Sequence, residues 1–74
     1  MVKGRMTNVE ISYNYGVSPD ESVMRAIDNI REVYGIRRLN FNEAARSVNV
    51  EYDATRLSPA VVAKLLRQTG LDLQ

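Results

Sequence analysis

The side chains that carry most metal and nucleophilic chemistry are missing from this chain of 74 residues, which contains no cysteine and no histidine. Thiolate and imidazole metal sites, cysteine and histidine nucleophiles and imidazole acid–base catalysis are therefore excluded. The remaining candidates are methionine, tyrosine, hydroxyl and carboxylate groups. No nucleophile stands out next to a base that would activate it, so we expect that the chain is not an enzyme and needs no cofactor.

Hydroxyl and carboxylate groups come together in the segment Ser18-Pro19-Asp20-Glu21. Such a segment could hold an anion on helix amides or a hard cation on its carboxylates. Its order also fits the start of a helix, with Ser18 as N-cap, Pro19 at the first helical position and Glu21 bonding back to the Ser18 amide. We favour the capping interpretation, because Asp20, Glu21 and Asp53 do not have the spacing of a Ca²⁺-binding loop.

Methionine and tyrosine are the other donor types. Thioether sulfur can bind Cu(I), but Met1 and Met6 lie near the N-terminus and Met24 has no sulfur partner nearby in the sequence. We therefore expect no metal site among the methionines. Tyr13 and Tyr15 lie just before the Ser-Pro segment; we expect Tyr13 in the core, whereas Tyr15 fits either the core or an interface, where tyrosine is favoured.

The charge of the chain is close to neutral, with 10 lysine and arginine residues against 9 aspartate and glutamate residues. A nucleic-acid-binding arm or a membrane-surface patch needs a clustered excess of one charge, so both are disfavoured. Four arginines lie in the middle of the sequence, namely Arg37, Arg38, Arg46 and Arg56. They either bind carboxylates of a partner through their planar guanidinium groups or belong to a solvated surface of mixed charge.

The elements that position these side chains follow from the apolar pattern. Alternation predicts strands over 7–14, 36–42 and 47–52, and residues 71–73 can add a short fourth strand. One helix is predicted between the Ser18–Glu21 start and Gly35, and a second between the Ser58-Pro59 start and Gly70. The expected inward residues are Val9, Ile11, Tyr13, Val23, Ile27, Ile30, Leu39, Phe41, Val48, Val50, Val62, Leu65 and Leu66.

The resulting order, βαββαβ, predicts an α+β fold of ferredoxin-like type. In this two-layer sandwich, a four-stranded antiparallel sheet carries both helices on one face. We expect a single domain across residues 1–74, with residues 1–6 frayed. The open sheet face would carry no aromatic side chains on which bases could stack, which argues against RNA binding; it would consist of Asn8, Glu10, Ser12, Arg38, Asn40, Asn49 and Glu51.

Four short motifs occur along the second half of the chain: Gly35-Ile36 before an alternating strand, Val48-Asn49-Val50-Glu51-Tyr52-Asp53, Leu57-Ser58-Pro59, and Gly70-Leu71. Together they resemble the heavy-metal-associated (HMA) domain family, over residues 9–73. That family comprises copper chaperones and the N-terminal modules of P-type heavy-metal ATPases. Its members carry one soft ion on two thiolates of a Gly-Met-x-Cys-x-x-Cys loop between the first strand and the first helix.

This chain departs from the family at the metal loop, which falls on Gly16, Val17, Ser18, Pro19 and Ser22. Both cysteine positions are lost, as Pro19 and Ser22. Soft ions need the charge and polarisability of thiolate sulfur, which neither a serine hydroxyl nor a proline ring supplies. The resemblance therefore implies an HMA-like domain with a degenerate metal loop that holds no metal.

The function implied by the resemblance is that of a protein-docking or regulatory module in metal transport or homeostasis. Its partner would be another protein domain, such as an HMA domain or a metal ATPase, and the chain would be a monomer or weak dimer that binds no nucleic acid. The expected docking surface consists of Tyr15, Gly16, Val17, Ser18 and Arg25. Two alternatives stay open: residual metal binding through methionine, tyrosine, carboxylates or a site shared with a partner, and a purely structural or oligomerisation role.

The first residues contain no apolar run typical of a signal peptide, and no run approaches the roughly 18 apolar residues of a membrane span. We therefore expect a cytoplasmic location, free or as the cytosolic part of a membrane protein, without membrane contact by this segment.

Overall fold

The computed structural model of the chain describes residues 8–74, which form an α+β arrangement of three strands and two helices. Along the chain these are β1 (Asn8–Asn14), α1 (Glu21–Ile30), β2 (Ile36–Asn42), β3 (Ser47–Asp53) and α2 (Pro59–Gln68). The expected fraying of residues 1–6, the start of the first strand at Thr7, and Met1 and Met6 lie outside the described residues.

The sheet is antiparallel, with the strand order β1-β3-β2. Val50 of the central strand pairs with Ile11 on one side and with Leu39 on the other. Central position explains why β3 supplies the most deeply buried strand residues: Val48 and Val50 are 0 % exposed. Both helices supply apolar residues to the same core, chiefly Ile27, Ile30, Val62 and Leu66.

The predicted four-stranded, ferredoxin-like sheet is wrong, because residues 8–74 form a sheet of three strands. The segment expected to be the fourth strand makes only an isolated bridge, between Leu73 and Tyr15. The reason is local: the Leu73 amide donates to the carbonyl of Leu71, 3.0 Å away, which is the hydrogen bond of a γ-turn. This bond curls the segment and takes a donor away from a strand ladder. Leu71 is instead a core residue, only 4 % exposed.

A β-bulge in β2 explains one error in the predicted core. The pairing of β2 with β3 shifts register between Ile36 and Arg38. As a result Ile36 and Leu39 are both buried, although Arg37 and Arg38 between them are both exposed. Strict alternation cannot place two residues three positions apart on the same face, so it missed Ile36.

The predicted core needs further corrections at its margins. Val9 is 42 % exposed, because it lies on β1, at one side of the sheet. Tyr15, Tyr52 and Leu71 were missed, and each is less than 5 % exposed. Tyr52 continues the inward alternation of Val48 and Val50 by two residues, so it extends the core along the central strand.

The two Ser-Pro helix starts behave differently. Ser58 caps α2 as predicted: its hydroxyl accepts from the Val61 amide at 3.3 Å, and Pro59 begins the helix. The predicted Ser18 cap is wrong. Asp20 caps α1 instead, with its Oδ1 accepting from the Val23 amide at 2.9 Å. A carboxylate makes a stronger, charge-assisted bond to backbone amides than a hydroxyl does, which explains why the helix begins after Asp20.

The end of α1 also falls earlier than predicted. The helix stops at Ile30, and turns continue the chain to Gly35. Gly35 has a φ of +104°, a conformation that favours glycine, and it leads directly into β2. Gly35 therefore ends the turns that follow α1, and it does not cap the helix as predicted.

The Asp20 cap predicts a pH dependence of stability. Hydrogen bonds from the Val23 amide, and then from the Ser22 hydroxyl, lower the pKa of Asp20 below its ordinary value of 3.8. A lowered pKa means that the ionised cap stabilises the fold above pH 3.8, and that this contribution is lost as pH falls through the lower folded value. We expect native protein to be more stable than Asp20→Asn at pH 7 and to lose that advantage below pH 3.8.

Thermal unfolding followed by circular dichroism between pH 7 and pH 2 tests this difference. Asparagine keeps a capping oxygen without the charge, so it is the matched control. A difference between the two proteins that does not change with pH would contradict the prediction.

Candidate functional site

Three segments far apart in the sequence meet at one end of the sheet. The Tyr15 amide donates to the carbonyl of Arg46 in the β2–β3 turn, at 3.0 Å. The Gly16 amide donates to the carbonyl of Asp72 at 3.0 Å, and the Arg46 guanidinium donates to the carbonyl of Gly16 at 3.3 Å. The loop between β1 and α1 is therefore held on both sides, by the turn and by the C-terminal segment.

Most of the predicted docking residues lie on the surface of this loop. Val17 is 67 % exposed, Ser18 is exposed and Gly16 is half-buried. Arg25 is exposed on α1 and pairs with Glu21 at 3.1 Å. Val17 is thus an isolated apolar side chain in water, on a backbone that is tied down.

Tyr15 is the exception, and the structure corrects its assignment to the docking surface. It is only 3 % exposed and belongs to the core. Tyr15 continues the inward alternation of Ile11 and Tyr13 just beyond the end of β1, and its ring packs edge-on against Phe41. The ring centroids are 5.8 Å apart and the planes make an angle of 70°.

Pro19 and Ser22, the two positions where the resemblance to the HMA family would place cysteines, have structural roles here. The Ser22 hydroxyl donates to the Asp20 carboxylate at 3.1 Å and supports the α1 cap. Pro19 is half-buried and lines a cavity. Between Asn8 and Gln74, histidine, cysteine, aspartate and glutamate side chains form no group of three or more that could hold a metal ion.

The cavity lies behind the loop and has a volume of about 160 Å³. Its walls are two aromatic rings, a thioether, a proline ring, a hydroxyl and a carboxylate, supplied by Tyr15, Phe41, Met24, Pro19, Ser18 and Glu43. A single water needs only about 10–15 Å³ of such space. The cavity therefore has room for a group of several heavy atoms.

The charge around the cavity is acidic. Glu43 lines it, and no lysine or arginine among residues 8–74 does so. Asp20, next in sequence to Pro19, does not line the cavity, and its carboxylate caps α1. Arg46 and Arg25 do not line the cavity; Arg46 donates to the Gly16 carbonyl and Arg25 pairs with Glu21. A cation or a hydrogen-bond donor therefore fits this cavity better than an anion.

The grouped arginines are not one patch. Arg37 pairs with Asp53 at 3.5 Å and Arg38 with Glu51 at 3.8 Å, both across the first part of β2. Arg56 stacks over the ring of Tyr34, 4.5 Å from its centroid. Arg46 lies at the other end of the sheet, beside the loop.

Sequence reasoning considered Tyr15 and Met24 separately and did not identify Phe41 and Glu43 as part of a site. Phe41 pairs with Val48, which on its other side pairs with Tyr13. This register brings the end of β2 beside the residues that follow β1. The strand order, with β3 between β1 and β2, brings these residues together. No local sequence pattern specifies that order, so the site could not be found from the sequence.

A scan against protein-family models finds no match to this chain, and a search of curated proteins finds none with significant similarity. In the described range 8–74, no helix combines the length and the apolar character needed to cross a bilayer. Chemical evidence for function therefore comes from the loop and the cavity behind it.

Proposed function

We propose that the chain is a non-catalytic protein-docking module that contacts its partner through the exposed part of the β1–α1 loop. The docking loop is defined here as Gly16, Val17 and Ser18, with Arg25 beside it on α1. The observation that carries the proposal is Val17, an apolar side chain that is 67 % exposed. Burial of this side chain by a partner would remove apolar surface from water, which favours association.

The backbone at the start of the docking loop supports this role because it is hydrogen-bonded to two other segments. Hydrogen bonds fix Tyr15 to Arg46 and Gly16 to Asp72. The C-terminal segment also fills the space beside Gly16, where an added Cβ would lie 2.6 Å from Gln74 Nε2 and 2.7 Å from Asp72 Oδ2. An ordered loop loses little conformational entropy on binding, so more of the contact energy becomes affinity.

Arg25 can add charge complementarity. Its ion pair with Glu21 is one helical turn apart and highly exposed, with 75 % and 82 % of the two side chains in solvent. Exposed pairs of this kind contribute little to stability. The guanidinium can therefore exchange Glu21 for a carboxylate of a partner, and a charge at the edge of an interface mainly steers association.

The wider context in our proposal is metal transport or homeostasis in the cytosol, with another protein domain such as an HMA domain or a metal ATPase as partner. Its support is the resemblance of residues 9–73 to the HMA family. The chain would act as a monomer or weak dimer and would bind no nucleic acid.

Site-specific photocrosslinking tests the proposal. We expect that a benzoylphenylalanine in place of Val17 crosslinks one defined protein in the cells that make this chain, because Val17 lies inside the proposed contact. Tyr34 is the matched control, since it is 69 % exposed and follows the opposite end of α1. The crosslinked product would be identified by mass spectrometry. Equal crosslinking from both positions, or none from Val17, would reject the docking loop.

Metal binding is the second candidate, because the cavity brings Met24 together with Tyr15 and Glu43. Methionine, tyrosine and carboxylate groups are the donors that residual metal binding would use. One thioether and one carboxylate are nevertheless a poorly matched pair, since Cu(I) prefers sulfur and hard cations prefer oxygen. We therefore rank docking first.

A further inference from the structure

We propose that the cavity lined by Tyr15, Phe41, Met24 and Glu43, named the aromatic cavity here, binds the ammonium group of a lysine side chain from the partner protein. This inference rests on the proposed docking function, because the cavity opens beside the docking loop, with Ser18 belonging to both. It adds the chemistry of the partner residue that the docking site would recognise.

The two aromatic rings are the first support. The rings of Tyr15 and Phe41 lie 5.8 Å apart with their planes at 70°, so they form two walls of different orientation. Ring faces carry negative charge density and attract a cation within about 6 Å of the ring centroid. Two walls at an angle suit a compact ammonium group better than they suit a flat aromatic ligand.

The hydroxyl group of Tyr15 is the second support. Although the residue is 3 % exposed, this hydroxyl makes no hydrogen bond to any of the described residues. No fully buried side-chain oxygen or nitrogen in the described range lacks a partner, so the Tyr15 hydroxyl oxygen keeps some accessible surface, and Tyr15 is one of the residues that line the cavity. The hydroxyl oxygen can accept a hydrogen bond from an ammonium group, because that group has three N–H donors and no acceptor.

The charges select for a cation. Glu43 is an exposed carboxylate at the cavity wall. The guanidinium groups of Arg25 and Arg46 are not among the groups that line the cavity; they are bonded to Glu21 and to the Gly16 carbonyl. An anion would meet the Glu43 carboxylate and two aromatic rings without a lining cation, whereas an ammonium group would be attracted by the carboxylate and could pack against the rings.

The shape and the remaining wall fit an aliphatic stem. A volume of about 160 Å³ exceeds what the ammonium group alone requires. Met24 supplies a flexible, polarisable thioether that packs against irregular apolar groups. A lysine side chain presents both parts in order, since its methylenes can pack against apolar surface while its charged end seeks polar partners.

Titration with small probes, followed by NMR, tests this inference on the intact chain. The probes are N-acetyl-lysine methylamide, its Nε-trimethyl derivative and the uncharged norleucine analogue. We expect saturable shifts of Tyr15, Met24 and Phe41 with both cations in the millimolar range. The norleucine analogue should bind about 2- to 30-fold more weakly, as expected for loss of a cation–π interaction.

Glu43→Gln tests the carboxylate. We expect it to weaken lysine binding about 2- to 5-fold, as loss of one exposed charge pair would, and to leave binding of the norleucine analogue unchanged. Glu32→Gln is the matched control, since Glu32 is also exposed and follows the opposite end of α1. No saturable shift with either cation, equal binding of norleucine, or the same effect from both variants would overturn the proposal.

The two proposals can fail separately. A defined crosslink from Val17 without ammonium binding would leave docking intact and remove the aromatic cavity from it. Ammonium binding without a crosslink would establish the cavity as a ligand site and reject the docking loop.

Discussion

Replacing Pro19 and Ser22 with cysteine is expected to create a one-to-one site for Cu(I) or Cd(II), whereas the native chain is expected to bind neither ion. The reason is the proposed resemblance to the HMA family, under which the two metal-binding cysteines would fall at these positions. Pro19 directly precedes the N-cap of α1 and Ser22 lies in its first turn. Thiolates at a helix N-terminus are stabilised by the helix dipole, which favours deprotonation and metal binding.

The measurement is a competition titration together with amide NMR shifts of residues 15–23. We expect the double variant to bind tighter than about 1 μM, a standard free energy of about −8 kcal/mol. Pro19→Ala combined with Ser22→Ala is the matched control, because it removes the native side chains without adding sulfur. If native protein shows shifts that saturate at one equivalent, metal binding replaces docking as the first candidate. If the cysteine variant gains no affinity, the resemblance does not extend to the geometry of the loop.

Leu66→Ala is expected to lower the free energy of unfolding by about 3–4 kcal/mol. Leu66 of α2 is 0 % exposed and lies in the core with Ile27, Val50 and Tyr52. Its removal loses the transfer energy of the buried methyl and methylene groups and leaves a cavity among neighbours that relax only in part. Small domains are stable by only about 5 kcal/mol or a little more, so the variant should be close to unfolding at room temperature.

Leu65→Ala provides the control, because it changes the same residue type on the adjacent position of α2. Leu65 is half-buried at the margin of the core. Its substitution should cost about 1–2 kcal/mol, since less apolar area leaves water on folding. Urea unfolding of both variants, with the m-value checked for constancy, measures the difference. Equal losses would mean that the packing of α2 described here is wrong.

Local patterns predict the parts of this fold that local interactions decide. The bounds of β2, Ile36–Asn42, agree with the prediction, and so does the Ser58-Pro59 start of α2. The start of α1 is harder, because Ser18 and Asp20 are both good caps in the same short segment. Asp20 caps the helix because its carboxylate makes the stronger bond to a backbone amide, and Ser18 and Pro19 line the aromatic cavity.

The number of strands could not be predicted because it depends on a few hydrogen bonds at the C-terminal segment. Alternation of Leu71 and Leu73 fits a strand, but the Leu73 amide bonds back to Leu71. The site was predictable only in part for a related reason. Val17 and Ser18 were proposed as docking residues from the resemblance to the HMA family, and the structure shows both exposed, whereas the approach of Phe41 and Glu43 to Tyr15 depends on the sheet order β1-β3-β2.

The bulge in β2 has a consequence for how the molecule behaves at high concentration. Within residues 8–74, β2 pairs only with β3, so its outer side is a free sheet edge. Because of the bulge, Arg37 and Arg38 are both exposed, and each forms an ion pair with a carboxylate of β3. A second molecule that added a strand at this edge would have to follow an irregular backbone next to two exposed, charged side chains. Both features oppose intermolecular sheet growth, and they protect this side of the domain from amyloid-type aggregation.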